Sequence, residues 1–250
     1  MKTKFIIVIP LYNAEKWISL SIKSVLKQDY NNYHCIVADD GSTDLSCKIA
    51  EKLIGSDPRF TLIKNDTNIG PLGNAYEAAM IHNPEQEDNN VIVILDGDDF
   101  FYSKDTLNIL NEVYTKDDCW MTYGSYINLS DKKRGKFSRQ VPQTIIENNL
   151  YRQSEWCTSH LRSYKLNLLR KVVKNDLLDE EGNYFKAAGD LALMFLLLEL
   201  SGDRASFVED ILYVWNDLNE MNEHKTKRNL QLQSEMKIRS IKGYTKLKEL

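Results

Sequence analysis

Residues 91–99 read VIVILDGDD, an apolar run followed at once by three aspartates within four positions. Val91–Leu95 is continuous and rich in β-branched residues, which is typical of a strand buried on both faces of a parallel sheet. If the chain stays extended beyond this strand, the side chains of Asp96 and Asp98 project to the same side. Gly97 between them allows the backbone to approach a ligand closely. We therefore predict a buried strand with a cluster of carboxylates at its carboxyl end.

Strands and helices alternate through the rest of the first half. Apolar runs predict further strands at Phe5–Ile9, His34–Ala38 and Phe60–Lys64. Helical spacing of apolar residues predicts helices from Ala14 to Leu26 with Asn13 as N-cap, from a cap at Ser42 or Thr43 to about Leu53, around Gly73–Met80, and from about Lys104 to Tyr114. This alternation predicts right-handed crossovers and an α/β fold with a mostly parallel sheet flanked by helices.

The second half of the chain is less regular. Trp120–Asn128 and Phe207–Trp215 read as strands, and Tyr151–Val173 reads as a loop that feeds a helix. Asp190–Leu200 is almost wholly apolar, which predicts a buried helix. From His224 onward there are eight Lys or Arg residues against two Glu, interspersed with apolar residues. We predict a basic, C-terminal helical extension. It is either a solvated helix with a few packed apolar residues, or it docks on the acidic body, lies peripherally on an anionic membrane, mediates dimer contact or closes over the ligand site.

Composition narrows the class of protein. The net charge of −4 gives no overall signal for nucleic acid, and we expect no nucleic-acid partner. The four cysteines lack the spacing of a zinc site or a disulfide framework, so free thiols in a reducing compartment are expected. The apolar run at Phe5–Ile9 is too short for a signal peptide, which favours a cytoplasmic location.

Three of the four strands predicted in the first half end in polar or acidic residues, at 10–13 (PLYN), 39–42 (DDGS) and 96–99 (DGDD). Ligands of open parallel sheets gather at the carboxyl ends of the strands. Clustered carboxylates repel one another, and a divalent cation such as Mg²⁺ or Mn²⁺, shared with substrate phosphates, commonly compensates them. The alternative is a set of ordinary turns and helix caps, because Asp and Gly are frequent in both.

Four linked motifs resemble the nucleotide-sugar half of family 2 glycosyltransferases, which have the GT-A fold. They are VIPLYNAEKWISLSIKSVLKQDY, CIVADDGSTD, NDTNIGPLGNA and VILDGDD, in this order over roughly residues 5–120. The resemblance implies a nucleotide diphosphate sugar donor, usually UDP-linked, a divalent metal (Mn²⁺ or Mg²⁺), and inversion at the anomeric carbon. The acceptor would be a hydroxyl of a glycan, a lipid-linked molecule or a protein.

The same resemblance divides the chain and assigns residues by position. Residues 1–118 would be the nucleotide-sugar-binding half, 119–220 the acceptor-binding and catalytic half of the same domain, and 221–250 the basic helical tail. The implied donor-binding residues are Pro10 and Tyr12 at the base, Asp40 accepting a hydrogen bond from the base, Asn68 and Gly70 at the border of the donor, Asp96 near the ribose, and Asp98. The implied metal ligands are Asp98, Asp99 and His224, and the implied catalytic base is Asp190.

Two departures from the family pattern keep other interpretations open. Many relatives have Arg where this chain has Gly73, and most have Glu where it has Gly189. A non-catalytic nucleotide-sugar-binding module is therefore one alternative, and a nucleotidyltransferase is another, although its Gly-rich basic loop is absent after the first strand. From the residues alone, a helix cap is the favoured role of Asp190, and only its position in the family pattern favours the catalytic role. His160 is either structural or in contact with a substrate.

Overall fold

The structure, a computed structural model, describes residues 2–116, 118–222, 226 and 228–250. In this part of the chain the strands are β1 (Phe5–Leu11), β2 (Tyr33–Asp39), β3 (Phe60–Lys64), β4 (Val91–Ile94), β5 (Phe100–Phe101), β6 (Met121–Asn128), β7 (Arg162–Lys165) and β8 (Ala205–Trp215). The helices are α1 (Ile18–Leu26), α2 (Ser46–Ile54), α3 (Gly70–Met80), α4 (Thr106–Lys116), α5 (Gln143–Glu147), α6 (Leu166–Leu169), α7 (Gly189–Ser201), and the tail helix, Arg228–Ser240.

These strands form one sheet in the order β3-β2-β1-β4-β7-β6-β8-β5. The pairs β3-β2, β2-β1 and β1-β4 are parallel, as the alternation of strands and helices predicts. Beyond β4 the sheet is mixed, because β7 runs antiparallel to both β4 and β6, while β6 and β8 are parallel. The predicted α/β fold and the C-terminal helix are confirmed, and the first half of the chain forms the parallel part of the sheet.

The sheet has a hydrophobic core on each face. In β1, Ile6 and Val8 pack with α3 and α7 on one face, whereas Ile7 and Ile9 pack with α1 and α4 on the other. All four side chains are fully buried, which explains the unbroken apolar run in this strand. Helix α7 is buried around nearly its whole circumference, as its composition predicts.

Strand β7 corrects the prediction of a loop at Tyr151–Val173. It lies between β4 and β6 and joins the two halves of the sheet. Its sequence, RSYK, has no apolar alternation, because Arg162 and Ser163 are buried polar residues with partners inside the protein. A strand of this composition carries no periodic signal, so sequence patterning cannot detect it.

Two predicted helix caps are also wrong. Helix α1 begins at Ile18 and α2 at Ser46, each several residues later than predicted. The backbone N–H of Asn13 donates to the hydroxyl of Ser42, and the Asn13 side-chain oxygen accepts from the N–H of Thr43. These capping-type side chains therefore tie the loop after β1 to the loop after β2, which fixes the edge of the sheet where ligands are expected.

The tail packs on the body of the protein. The Arg239 guanidinium donates to the carbonyl oxygens of Arg152 and Ser154, and Tyr244 donates its hydroxyl to Asp176. Docking on the protein itself is thus realised, while membrane and dimer contacts stay predictions. Among the described residues, no helix combines the length and the apolar character that a transmembrane segment requires. All four cysteines are free thiols.

Candidate active site

A cleft of about 1390 Å³ opens at the carboxyl ends of β1, β2 and β4. Its lining includes every predicted site residue that the structure describes: Pro10, Tyr12, Asp40, Asn68, Gly70, Asp96, Asp98, Asp99 and Asp190. The structure thus brings together side chains that are up to 180 positions apart in the sequence, from Pro10 to Asp190. The predicted ligand His224 lies outside the described residues.

Asp40 organises the part of the cleft at the end of β2 and the start of α3. This aspartate is buried, and its carboxylate accepts hydrogen bonds from the backbone N–H groups of Ile69 and Gly70 at 3.1 and 2.9 Å and from the Asn65 amide at 3.0 Å. It therefore anchors the start of α3 to the end of β2. In contrast, the Tyr12 ring is 46% exposed and is accessible to a planar ligand. The roles of both residues toward a nucleotide base stay predictions.

The turn at Asp96–Asp99 lies close against β1. The N–H of Gly97 donates to the carbonyl oxygen of Pro10 at 3.1 Å, and a Cβ at position 97 would lie 2.8 Å from that oxygen. Only glycine fits this close approach without displacing the backbone. Gly97 therefore holds the carboxylates on either side of it at the end of the sheet.

The aspartates of this turn have different environments. Asp99 is buried and accepts hydrogen bonds from the Tyr213 hydroxyl at 2.6 Å and from the Asn216 N–H at 2.7 Å. Burial, together with the nearby carboxylates, raises the pKa of Asp99 well above its usual value. Asp98 accepts a hydrogen bond from the Asn219 amide at 2.6 Å, and burial raises the pKa of Asp98 to about 6. The end of β8 thus positions both carboxylates.

The structure brings together a candidate set of metal ligands at this turn, and this set differs in part from the predicted one. Asp96, Asp99 and His160 each offer one ligand atom, and these atoms lie within 4.8 Å of one another. The imidazole of His160 stacks on the Tyr213 ring with a centroid distance of 4.5 Å, and burial keeps the pKa of His160 well below its usual value. A neutral imidazole nitrogen and carboxylate oxygens suit a divalent cation. Asp98 stays a predicted ligand.

Asp190 lies in the first turn of α7. The residue before this helix, Ala188, makes no side-chain capping bond, and the Asp190 carboxylate accepts a hydrogen bond from the adjacent N–H of Leu191 at 3.0 Å. The Asp190 side chain is 36% exposed and lines the cleft. This placement differs from that of a helix cap and leaves the carboxylate accessible to a ligand.

Arg162, which sequence reasoning missed, joins the two acidic parts of the cleft. Its guanidinium lies 3.4 Å from Asp96 and 3.4 Å from Asp190, and the side chain is buried. Burial by itself would lower the pKa of Arg162, but Asp96 and Asp190 outweigh this effect and raise it. Within the described part of the chain, the Arg162 Nε atom has no hydrogen-bond partner. A positive charge is thus held between the acidic turn and the candidate base.

Gly73 and Gly189, the two positions that depart from the family pattern, are explained by packing. A Cβ at Gly73 would lie 2.4 Å from the Tyr184 ring, and a Cβ at Gly189 would lie 2.7 Å from the Leu72 Cβ atom. Both glycines therefore allow α3 to pack closely against the segment that leads into α7. A longer side chain at either position would displace its neighbour.

Comparisons with known proteins agree with this geometry. Residues 6–173 match the family described as "Glycosyl transferase family 2". An uncharacterized glycosyltransferase of Haemophilus influenzae is 37% identical over 120 residues, which cover 48% of this chain and 46% of the relative. The Escherichia coli protein "UDP-Glc:alpha-D-GlcNAc-diphosphoundecaprenol beta-1,3-glucosyltransferase WfgD" is 35% identical over 146 residues. These residues cover 58% of this chain and 53% of the relative. The matched region thus spans about half the length of these relatives.

Solved structures show the same fold. Staphylococcus aureus TarS 1–349 in complex with UDP-GlcNAc superimposes with a TM-score of 0.65 and 23% identity, covering 90% of this chain and 61% of that one. The mannosyltransferase PcManGT from Pyrobaculum calidifontis, in complex with GDP-Man and Mn²⁺, gives a TM-score of 0.63 and 18% identity. The superposition covers 97% of this chain and 66% of the mannosyltransferase. The predicted GT-A-like architecture is confirmed.

Proposed function

The chain belongs to glycosyl transferase family 2, and on this premise we propose that it transfers a sugar from a UDP-linked donor to an acceptor hydroxyl with inversion at the anomeric carbon. One observation carries the proposal: the nucleotide-side residues, the Asp96–Asp99 turn and Asp190 all line the same cleft. The match to the family supports the type of reaction. A cleft of about 1390 Å³ is large enough for a donor and an acceptor together.

The donor half of the reaction uses the first part of the chain. The exposed ring of Tyr12 is available to stack on the base, and the Asp40-anchored loop borders the nucleotide. Asp96, Asp98, Asp99 and His160 are the residues that would hold a divalent cation, which when bound neutralises charge on the leaving diphosphate. The UDP-GlcNAc complex of TarS and the Mn²⁺ complex of PcManGT support these choices of nucleotide and metal.

The acceptor half of the reaction uses Asp190. Inversion in a single displacement requires the acceptor oxygen to attack the anomeric carbon as the bond to the diphosphate breaks. The acceptor hydroxyl gives its proton to a base on the face opposite the diphosphate. The Asp190 carboxylate lines the cleft and is not bound to a capping partner, so it can accept this proton.

Slow donor hydrolysis tests the proposal against its alternatives. A transferase is expected to hydrolyse its UDP-sugar slowly when no acceptor is present, with water in place of the acceptor. A non-catalytic binding module would bind the same nucleotide sugar and leave it intact. A nucleotidyltransferase would instead release pyrophosphate from a nucleoside triphosphate. Product analysis by NMR after incubation with a panel of UDP-sugars and with UTP separates the three.

We expect UDP to stabilise the protein only when Mn²⁺ or Mg²⁺ is present. At a ligand concentration of 100 times the dissociation constant, the free energy of unfolding should rise by about 2.7 kcal/mol. Asp98→Asn should abolish most of this increase, because the neutral amide is a poor ligand for a hard cation. Thermal unfolding with and without EDTA measures the effect, and Asp210→Asn, an exposed aspartate on β8, is the matched control. Equal stabilisation by UDP in EDTA would contradict metal dependence.

We expect Arg162 to supply the positive charge that the family pattern places at position 73. Arg162→Met should raise the dissociation constant of UDP about 10- to 100-fold, since a hydrogen bond to a charged group contributes about 1.5–3 kcal/mol. Arg162→Lys should recover only part of the affinity, because an ammonium group cannot reach both Asp96 and Asp190.

Isothermal titration with UDP and Mn²⁺ checks this expectation. Arg204→Met is the control, since Arg204 pairs with Asp118 and stacks on Trp120 and does not line the cleft. If wild type and Arg162→Met bind UDP with equal affinity, Arg162 pairs only with the protein's own carboxylates and does not contact the donor.

A further inference from the structure

One wall of the cleft is built by the second half of the chain together with the tail. We call it the distal wall, and its members are Phe137, Glu155, Trp156, Gln231, Glu235 and Arg239. The last three belong to the tail helix. The predicted donor and metal residues take no part in this wall, so it is available for a second ligand.

The distal wall is held rigid by Phe195 of α7. The Trp156 ring is perpendicular to the Phe195 ring at a centroid distance of 5.5 Å, and the Arg239 guanidinium lies 5.2 Å from the centroid of Phe195. Arg239 also donates to Glu235 at 2.8 Å and to two carbonyl oxygens. These contacts fix the orientation of the wall before any ligand binds, which reduces the entropic cost of binding.

The distal wall and the candidate base belong to the same cleft. Trp156 and Asp190 both line it, and Trp156 packs against Phe195 of α7, the helix whose first turn carries Asp190. A ligand that rests on Trp156 and extends along the cleft can therefore present a hydroxyl group to the Asp190 carboxylate.

The chemistry of the wall suits a neutral, polyhydroxylated ligand. Trp156 and Phe137 are partly exposed and offer apolar ring surfaces. Glu155, Gln231 and Glu235 provide oxygen and amide groups for hydrogen bonds with hydroxyls. The charges of the wall are largely paired, because Arg239 faces Glu235 and Arg139 faces Glu155. Lys136, over the Phe137 ring, and Lys186 also line the cleft.

We propose that the distal wall is the acceptor subsite, and that the acceptor presents a neutral saccharide that stacks on Trp156 and binds the polar side chains of the tail helix. The inference rests on the proposed glycosyltransferase function and names its acceptor class. It also gives the tail a role in the site: the helix Arg228–Ser240 is a wall of the cleft, and its residues take part in choosing the acceptor.

The test measures binding of methyl glycosides of glucose, galactose and N-acetylglucosamine to the full chain by saturation-transfer NMR, with UDP and Mn²⁺ present. Trp156→Leu keeps an apolar side chain against Phe195 and removes the stacking surface, whereas Trp156→Phe keeps an aromatic ring. We expect a loss of at least about tenfold in glycoside affinity for Trp156→Leu and a smaller loss for Trp156→Phe. Trp17→Leu is the control, because Trp17 is partly exposed and does not line the cleft.

Glu235→Gln gives a second variant within the tail helix, and it should also weaken glycoside binding while leaving UDP affinity unchanged. The inference is overturned if Trp156→Leu binds the glycosides as well as wild type does. It is also overturned if wild type binds glycerol phosphate and none of the glycosides. Failure of the proposed function has a different signature, namely wild-type protein that neither binds UDP nor hydrolyses a UDP-sugar.

Discussion

Asp190→Asn is expected to lower turnover about 10²–10⁴-fold, the usual range for the loss of a general base. The amide cannot accept the proton of the acceptor hydroxyl at neutral pH. UDP affinity should stay nearly unchanged, because Asp190 is not part of the Asp96–Asp99 turn and Arg162 keeps its ion pair with Asp96. The measurement is UDP release with a panel of glycoside acceptors, together with UDP titration calorimetry.

The matched control for this experiment is Asp210→Asn, which changes an exposed carboxylate on β8 and should leave turnover intact. The alternative is that Asp190 only stabilises the start of α7, and this role predicts a different result for Asp190→Asn. If the melting temperature falls while turnover per folded molecule is unchanged, Asp190 acts on the stability of α7 and the base is another residue.

Glu199→Ala should have the largest effect on stability, a loss of about 3–5 kcal/mol in the free energy of unfolding. Glu199 and Arg152 form a bidentate ion pair with distances of 2.6 and 3.1 Å, and their side chains are only 1% and 4% exposed. Removing the carboxylate leaves the Arg152 charge buried without its partner, which costs more than the pair itself contributes. Such a loss is a large part of the about 5–15 kcal/mol that stabilises an ordinary domain.

The tail completes this ion pair. The Arg152 guanidinium also donates to the carbonyl oxygen of Ile238 at 2.5 Å, and the Glu199 carboxylate accepts from the N–H of Tyr244 at 2.8 Å. A chain that ends near Asn222 would lack both partners, so we expect its body to be strongly destabilised. The tail is therefore an integral part of the folded protein.

Urea unfolding of Glu199→Ala and of a surface control measures this effect. Glu112→Ala removes an exposed i,i+4 pair with Lys116, and it should hardly change the free energy of unfolding. The double substitution Arg152→Met with Glu199→Leu should recover much of the loss, because it leaves no unpaired charge in the core. A loss for Glu199→Ala no larger than that for Glu112→Ala would contradict the account of the tail.

Sequence by itself determined the fold of the first half of the chain. The apolar runs of β1, β2 and β4 are local signals, because strands buried on both faces are apolar at every position. The acidic turn at Asp96–Asp99 follows the clearest of these strands, and the carboxyl ends of parallel strands must meet at one edge. Motif order and topology were therefore enough to predict that Asp40 and the turn share a cleft.

Only the tertiary structure decided the remaining features. Arg162 meets Asp96 across 66 positions, and Arg152 meets Glu199 across 47. A buried charged residue is recognised only once its partner is known, and no local pattern records a partner so distant in the chain. The same holds for the misplaced caps, since Asn13 and Ser42 bond to each other across two loops. Polar residues have several local uses, and tertiary contacts select among them.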